Sequence, residues 1–269
     1  MTNLLSVKDW DKVKVIGRGG SSTVYQCVVR ATQERLAVKE IATDGMTPDQ
    51  IRGIGGEVDT IKNLSHDNIV RCLGSEQVAN RLYIMLEYCG RGSLRKLYQD
   101  NGRLSEPQAA RCITLVLRGL DYLHANGVAH RDVKGANILL TAAGELKLAD
   151  FGASKKMETE SLVSGLKGTP HWMAPEVIKG TQMSTGWMKA DVWSLGCTLV
   201  EILSASLPFS EYDNPMTAMY QIANGKIPPL PSGASADASS FVHDCCAADP
   251  EQRPAVSALL QHPFLRRCR

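Results

Sequence analysis

No stretch of this 269-residue chain reaches the ~18 apolar residues that a membrane span requires, and its opening residues, MTNLLSVKDW, lack the long apolar segment of a secretory signal. A soluble protein of the cytoplasm is expected. Charge of one sign is missing too: 30 Lys and Arg face 28 Asp and Glu, a formal +2, so no positive field calls for nucleic acid or an anionic membrane. The eight cysteines (27, 72, 89, 112, 197, 245, 246 and 268) form no C-x-x-C pair and no compact disulfide spacing, which argues for a reducing compartment. Adjacent Cys245 and Cys246 are expected as two half-buried thiols on a helix, not as a metal or redox site. His66, His124, His171, His243 and His262 are scattered without ligand spacing. Internal repeats and low-complexity tails are absent.

What is present reads as an α+β chain whose character changes along its length. Residues 10 to 41 alternate apolar and polar positions around glycine-rich breaks, as in VKVIG, TVYQCVV and ERLAVKEI, and predict three short antiparallel strands. Thr47-Pro48-Asp49-Gln50 supplies a cap, a first-turn proline and a capping-box glutamine ahead of Ile51, Ile54, Val58 and Ile61, which predicts a helix. Two more strands near 69 to 77 and 81 to 88 complete a small sheet. After Gly90-Arg91-Gly92 the pattern turns helical. Ser105-Glu106-Pro107-Gln108 opens a long helix with Ile113, Val116, Leu117, Leu120 and Leu123 on one face and Gly127 at its end. Further helices are expected near 186 to 204, 214 to 223, 237 to 247 and 254 to 260.

Chemistry concentrates in His130-Arg131-Asp132-Val133-Lys134-Gly135-Ala136-Asn137 and in Asp150-Phe151-Gly152. Two carboxylates, an ammonium and a carboxamide in so short a span suit phosphoryl transfer, where a hydroxyl is aligned, Mg2+ held and phosphate charge neutralised. Asp132 is the candidate to accept or orient the hydroxyl proton. Lys134 is the candidate to stabilise the transferring phosphoryl group. Asn137 and Asp150 offer hard oxygen ligands that suit Mg2+ bound jointly with nucleotide phosphates. Upstream, Ile16, Gly17, Arg18, Gly19, Gly20, Ser21, Ser22, Thr23 and Val24 fit a strand-turn-strand whose glycines let backbone N–H groups approach phosphate oxygens. The glycine cluster alone fits a plain hairpin turn as well. Lys39, in the apolar strand around Ala37, would by itself be read as a solvated lysine.

Taken in order, these motifs over residues 10 to 265 resemble the eukaryotic protein-kinase catalytic domain. The resemblance implies a two-lobed fold: an N-lobe over about 10–86, a hinge at 87–92 and a C-lobe over about 93–265. It implies that Glu57 pairs with Lys39 to hold the α- and β-phosphates of ATP, that Leu86 guards the pocket, that Glu87 to Cys89 pair with adenine, and that Val24, Ala37 and Leu139 enclose it. It further implies that Glu176 of Ala174-Pro175-Glu176 pairs with Arg253 to fix the substrate groove, and that Asp191 holds the catalytic-loop backbone. Lys134 with Gly168-Thr169-Pro170 resembles serine/threonine kinases, Thr169 linking Asp132 and Lys134 to that groove. HRDVKGANILL, GTPHWMAPEV and KADVWSLGCTLVEIL are similar to the sterile kinase group, especially the mitogen-activated protein kinase kinase kinases, with sterile-20-like kinases and a pseudokinase scaffold as competing readings. The implied cofactors are ATP and Mg2+, and the implied substrate is a protein, another protein kinase of the cascade.

Nine residues precede Trp10, and the chain reads as a catalytic domain with no attached regulatory region. Arg131 beside Asp132 signals control by loop phosphorylation, with Thr159, Ser161 and above all Ser164 as acceptors. Ser22 and Lys167 depart from common family choices, Lys167 standing where many relatives carry a phosphorylatable threonine. Gly53, Gly55 and Gly56 weaken the helix bearing Glu57, which makes its docking an activation step aided by an upstream activator or regulatory domain.

Overall fold

Strand register does most of the work of arranging the first half of the chain. In the computed structural model, which describes residues 5–20, 22–47, 49, 51, 52, 54, 58, 61–150, 170–181 and 187–268, five strands form an antiparallel sheet: β1 (Trp10–Arg18), β2 (Ser22–Val29), β3 (Arg35–Ala42), β4 (Cys72–Val78) and β5 (Arg81–Glu87), in the order β1-β2-β3-β5-β4. Directly opposed residues share a face. Tyr25, Val38 and Met85 are aligned across β2, β3 and β5, and Cys27 opposes Leu36. With Trp10 and Val29 these residues build a core on one side of the sheet, against which Leu5, Val7, Leu73 and Tyr83 pack. Val24, Lys39 and Ile84 are aligned on the other face.

The central strand departs from simple alternation, since every residue from Leu36 to Ile41 is buried. At the edge of the core face, the buried Glu40 accepts from Lys12 and Arg81, and Lys12 lies 4.0 Å from the Tyr25 ring centre. Burial alone would raise the Glu40 carboxyl, but Lys12 and Arg81 hold it below its ordinary value. The described residues among 49 to 62 are helical up to Lys62 and bury Ile54, Val58 and Ile61. Gly53, Gly55, Gly56 and Glu57 lie outside the described residues.

The chain falls into two compact units, with the change at Gly90/Arg91. In the second unit, α1 (Leu94–Asn101) starts at Ser93, whose Oγ accepts from Lys96 N–H, and α2 (Glu106–Ala125) starts with the capping box of Ser105 and Gln108. The five apolar residues from Ile113 to Leu123 named above are fully buried. The helix stops two residues before Gly127, whose φ of +73° favours glycine.

Four helices follow that match the expected segments to within two residues at every end: α4 (Met188–Ser204), α5 (Pro215–Ala223), α6 (Ala236–Cys245) and α7 (Val256–Leu259), with the short α3 (Pro175–Lys179) before them. A two-stranded hairpin, β6 (Ile138–Leu140) with β7 (Leu146–Leu148), was not expected. Cys245 and Cys246 correct the sequence reading. Both are fully buried against α4, where a Cβ on Gly196 would come within 2.6 Å of Cys246 Sγ and 2.7 Å of Cys245 Cβ. Burial drives the Cys197 and Cys245 thiols well above the ordinary range, which fits inert packing groups. Among the described residues no helix is long and apolar enough to cross a membrane.

Candidate active site

One buried carboxylate holds the start of the loop from His130 to Asn137. Asp191, on the first turn of α4 and fully buried, accepts from Arg131 N–H at 2.6 Å and from His130 N–H at 2.8 Å, and His124 Nε2 stands 2.8 Å away. His130 is fully buried: its Nδ1 accepts from Asp132 N–H at 3.2 Å, so its Nε2 carries the proton and donates to Ala149 O at 3.1 Å. Arg131 takes a left-handed φ of +66°, and its guanidinium lies 5.2 Å from the Trp187 ring centre. Beyond this turn Asp132, Lys134 and Asn137 are half-buried while Val133 between them is fully buried.

Asp132, Lys134 and Asn137 come together there. Asp132 Oδ2 lies 3.0 Å from Lys134 Nζ and accepts from Asn137 Nδ2 at 2.7 Å; the same Nδ2 donates to Asp132 O at 2.9 Å. That network fixes the Asn137 amide with nitrogen toward Asp132, so Oδ1 is the atom it can offer to a cation. Asn137 O accepts from Ala149 N–H at 2.8 Å, which ties the loop to the strand leading to Asp150. Asp150 is exposed and left-handed, with φ of +63°. An amide oxygen and an exposed carboxylate form a hard donor set that fits Mg2+. Among the described residues no three His, Cys, Asp or Glu side chains gather into a group that could hold a metal ion.

Farther along, Arg253 and Glu176 meet as a buried bidentate pair at 2.6 and 2.8 Å. Arg253 also donates to the carbonyls of Ala247, Lys189 and Ala248 and lies 5.1 Å from the Trp193 ring centre. Leu139 sits in β6, opposite Lys147 and bridged to Ser93.

In the first unit, the register assembles the nucleotide candidates. Gly17 opposes Val24, Val24 opposes Lys39, and Ala37 lies two residues from Lys39, so all four share the face opposite the Trp10 core. Lys39 is buried at 7% exposure, which removes the solvated-lysine reading. Ile16 is 43% exposed on β1, Arg18 ends that strand, and beyond it Gly19 N–H donates to Ser22 O at 2.8 Å, closing the turn around Gly20 before Thr23. Glu87 ends β5, where its N–H donates to Arg71 O, and Cys89 is half-buried. Ser21, Glu57, Thr159, Ser161, Ser164, Lys167 and Thr169 lie outside the described residues.

One buried group escaped the sequence reading. Glu201 of α4 is fully buried yet ionisable, within the run SLGCTLVEIL. The signal was available: a carboxylate in a helix apolar on every side must have partners.

The chain is similar in sequence to known proteins. Cytokinesis protein sepH of Emericella nidulans is 41% identical over 263 residues, 98% of this chain and 19% of its own length. Mitogen-activated protein kinase kinase kinase 2 of Arabidopsis thaliana is 41% identical over 266 residues, 95% of this chain and 40% of its own. MAP3K epsilon protein kinase 1 of the same plant is 41% identical over 258 residues, 94% of this chain and 18% of its own. The chain thus spans between about a fifth and two fifths of the length of these relatives. A sequence model of the protein kinase domain matches residues 10–265, all but the two ends, and the chain belongs to that family.

Proposed function

We propose that this chain transfers the γ-phosphate of ATP to serine or threonine hydroxyls of a protein, and that its substrate is another protein kinase in a MAP kinase cascade. The observation that carries the reading is the convergence of Lys134 and Asn137 on Asp132, which puts a proton acceptor, a cation and a metal ligand within a few ångströms. Asp132 orients the attacking hydroxyl and takes its proton as the new oxygen–phosphorus bond forms and the bond from the γ-phosphorus to the β–γ bridging oxygen breaks, releasing ADP. Lys134 adds positive charge beside that oxygen. Asn137 and Asp150 would hold Mg2+, whose chemistry is to neutralise charge on the phosphates. Lys39, with Glu57 as its partner, grips the α- and β-phosphates, while Gly17, Val24, Ala37, Cys89 and Leu139 take the adenine end. The buried Glu176–Arg253 pair and Thr169 shape the substrate groove.

Lys134 and Thr169 support serine and threonine as acceptors. The relatives named as MAP kinase kinase kinases support a kinase as the substrate. Loop phosphorylation, at Ser164 first and at Thr159 or Ser161 otherwise, would order the segment through Arg131.

Transfer of labelled phosphate from Mg-ATP to an inactive MAP kinase kinase and to generic protein substrates tests this. Wild type should label the kinase on serine or threonine, and Asp132→Asn should fall by about 10²- to 10⁴-fold. Equal labelling by the two would refute the enzyme reading, and label confined to generic substrates would refute the cascade.

A further inference from the structure

Buried carboxylates need donors, and those of Glu201 come from three separate stretches of chain. Its Oε2 accepts from Gly135 N–H at 2.9 Å and from Trp172 Nε1–H at 3.0 Å, while Oε1 accepts from the Tyr98 hydroxyl at 2.9 Å. Tyr98 belongs to α1, Trp172 to the turn Pro170–Trp172 before Ala174-Pro175-Glu176, and Gly135 to the catalytic loop. All of these lie in the second unit. Burial raises the Glu201 carboxyl above its ordinary range, and the bonds from Gly135, Tyr98 and Trp172 oppose that rise.

Gly135 makes the contact specific. It sits between Lys134 and Asn137 and opens the turn Gly135–Asn137, so its backbone sets where both side chains begin. A Cβ there would stand 2.6 Å from Glu201 Oε1 and 3.0 Å from its Cδ. Glu201 cannot easily yield, because its three partners are themselves buried or part of packed elements. Ser194, two turns earlier on α4, donates to Trp172 O at 2.7 Å, and Thr198 Oγ1 reaches Val133 O at 3.5 Å. The helix therefore grips both segments, and Glu201 bonds the two through one carboxylate.

We propose that Glu201 is a positioning residue for phosphoryl transfer: through Gly135 it holds Lys134 and Asn137 in register with the Trp172 segment, and Tyr98 locks the carboxylate in place. The proposal rests on the kinase reading above. It differs from a packing role in one respect: the geometry of hydrogen-bond acceptance matters, and the charge does not. Glutamine can keep one oxygen for Gly135 and Trp172 while its NH2 donates to a Tyr98 hydroxyl turned to accept. Alanine can do neither.

The test measures kcat and the KM for Mg-ATP on a protein substrate for wild type, Glu201→Ala and Glu201→Gln, with melting temperature as a folding check and hydrogen exchange at the Gly135 amide. Glu201→Ala should lose about 10- to 100-fold in kcat, with KM for Mg-ATP within about twofold and faster exchange at Gly135. Glu201→Gln should recover most of the lost kcat. Wild-type kcat in the alanine variant, or a glutamine variant as impaired as alanine, overturns the proposal. Should Glu201→Ala fail to fold, Gly135→Ala carries the same test: reduced kcat supports the anchor and unchanged kcat overturns it. A wild-type chain that transfers no phosphate refutes the kinase reading instead, and Gly135 exchange then decides the anchor: unchanged exchange in Glu201→Ala overturns it.

Discussion

Replacing Glu176 by alanine would strand the Arg253 guanidinium, which is 1% exposed, inside the second unit. Two charge-assisted bonds at 2.6 and 2.8 Å would vanish, while the carbonyls of Ala247 and Lys189 would stay at 2.8 and 2.9 Å. Those carbonyls carry partial charge only, so the cation keeps its desolvation cost without its counter-ion. Breaking a buried pair in this way costs about 3–5 kcal/mol, and two bonds at roughly 1.5–3 kcal/mol each give a similar range. At about 2–4 °C per kcal/mol for a unit of this size, the melting temperature should fall by roughly 6–20 °C. Differential scanning calorimetry of wild type and Glu176→Ala reads it directly. A second arm replaces the whole pair, Glu176→Leu with Arg253→Met, and should regain at least about half of the loss, because no charge is left unpaired. A drop below about 3 °C in the single variant would refute the reasoning, since the carbonyls and the Trp193 ring would then suffice for Arg253.

Two other perturbations follow from packing and charge. Gly196→Ala should cost about 1–3 kcal/mol through overpacking against Cys245 and Cys246, read as a lower urea midpoint; adding Cys246→Ala should restore part of it, and an unmoved midpoint in the single variant would count against the close approach. For Glu40, the folded carboxyl lies below its ordinary 4.5, so its stabilisation is present above that value and is lost as pH falls through the lower folded one. The stability difference between wild type and Glu40→Gln should accordingly be largest near neutral pH and shrink below about pH 4.5; a difference independent of pH would contradict the Lys12 and Arg81 pairing.

Legibility in the sequence followed the range of the interaction. Helix starts were visible because caps are local: Ser105 and Gln108 announce α2 within four residues, and the structure contains that box. The loop from His130 to Asn137 was visible for the same reason, as its functional groups lie close together in the chain. The β6–β7 hairpin was not, because strands of three residues are too short for alternation to register. Cys245 and Cys246 were read as half-buried because helical period alone does not reveal that a neighbouring helix presents a glycine. Glu201 was missed since its donors are 29, 66 and 103 residues away, and no short pattern spans such distances.

Every residue of α4 from Ala190 to Leu203 is buried. A helix wrapped on all sides has no face on which to stand alone in water, and isolated helices of this length are marginal even when amphipathic. Its packing partners include α2 and α6, so the burial of its whole circumference, and with it the seat of Asp191 under the loop, depends on those helices being in place. Positioning of the loop is thus tied to completion of the surrounding helical core, and a chain in which that core is incomplete exposes a long apolar segment that favours aggregation.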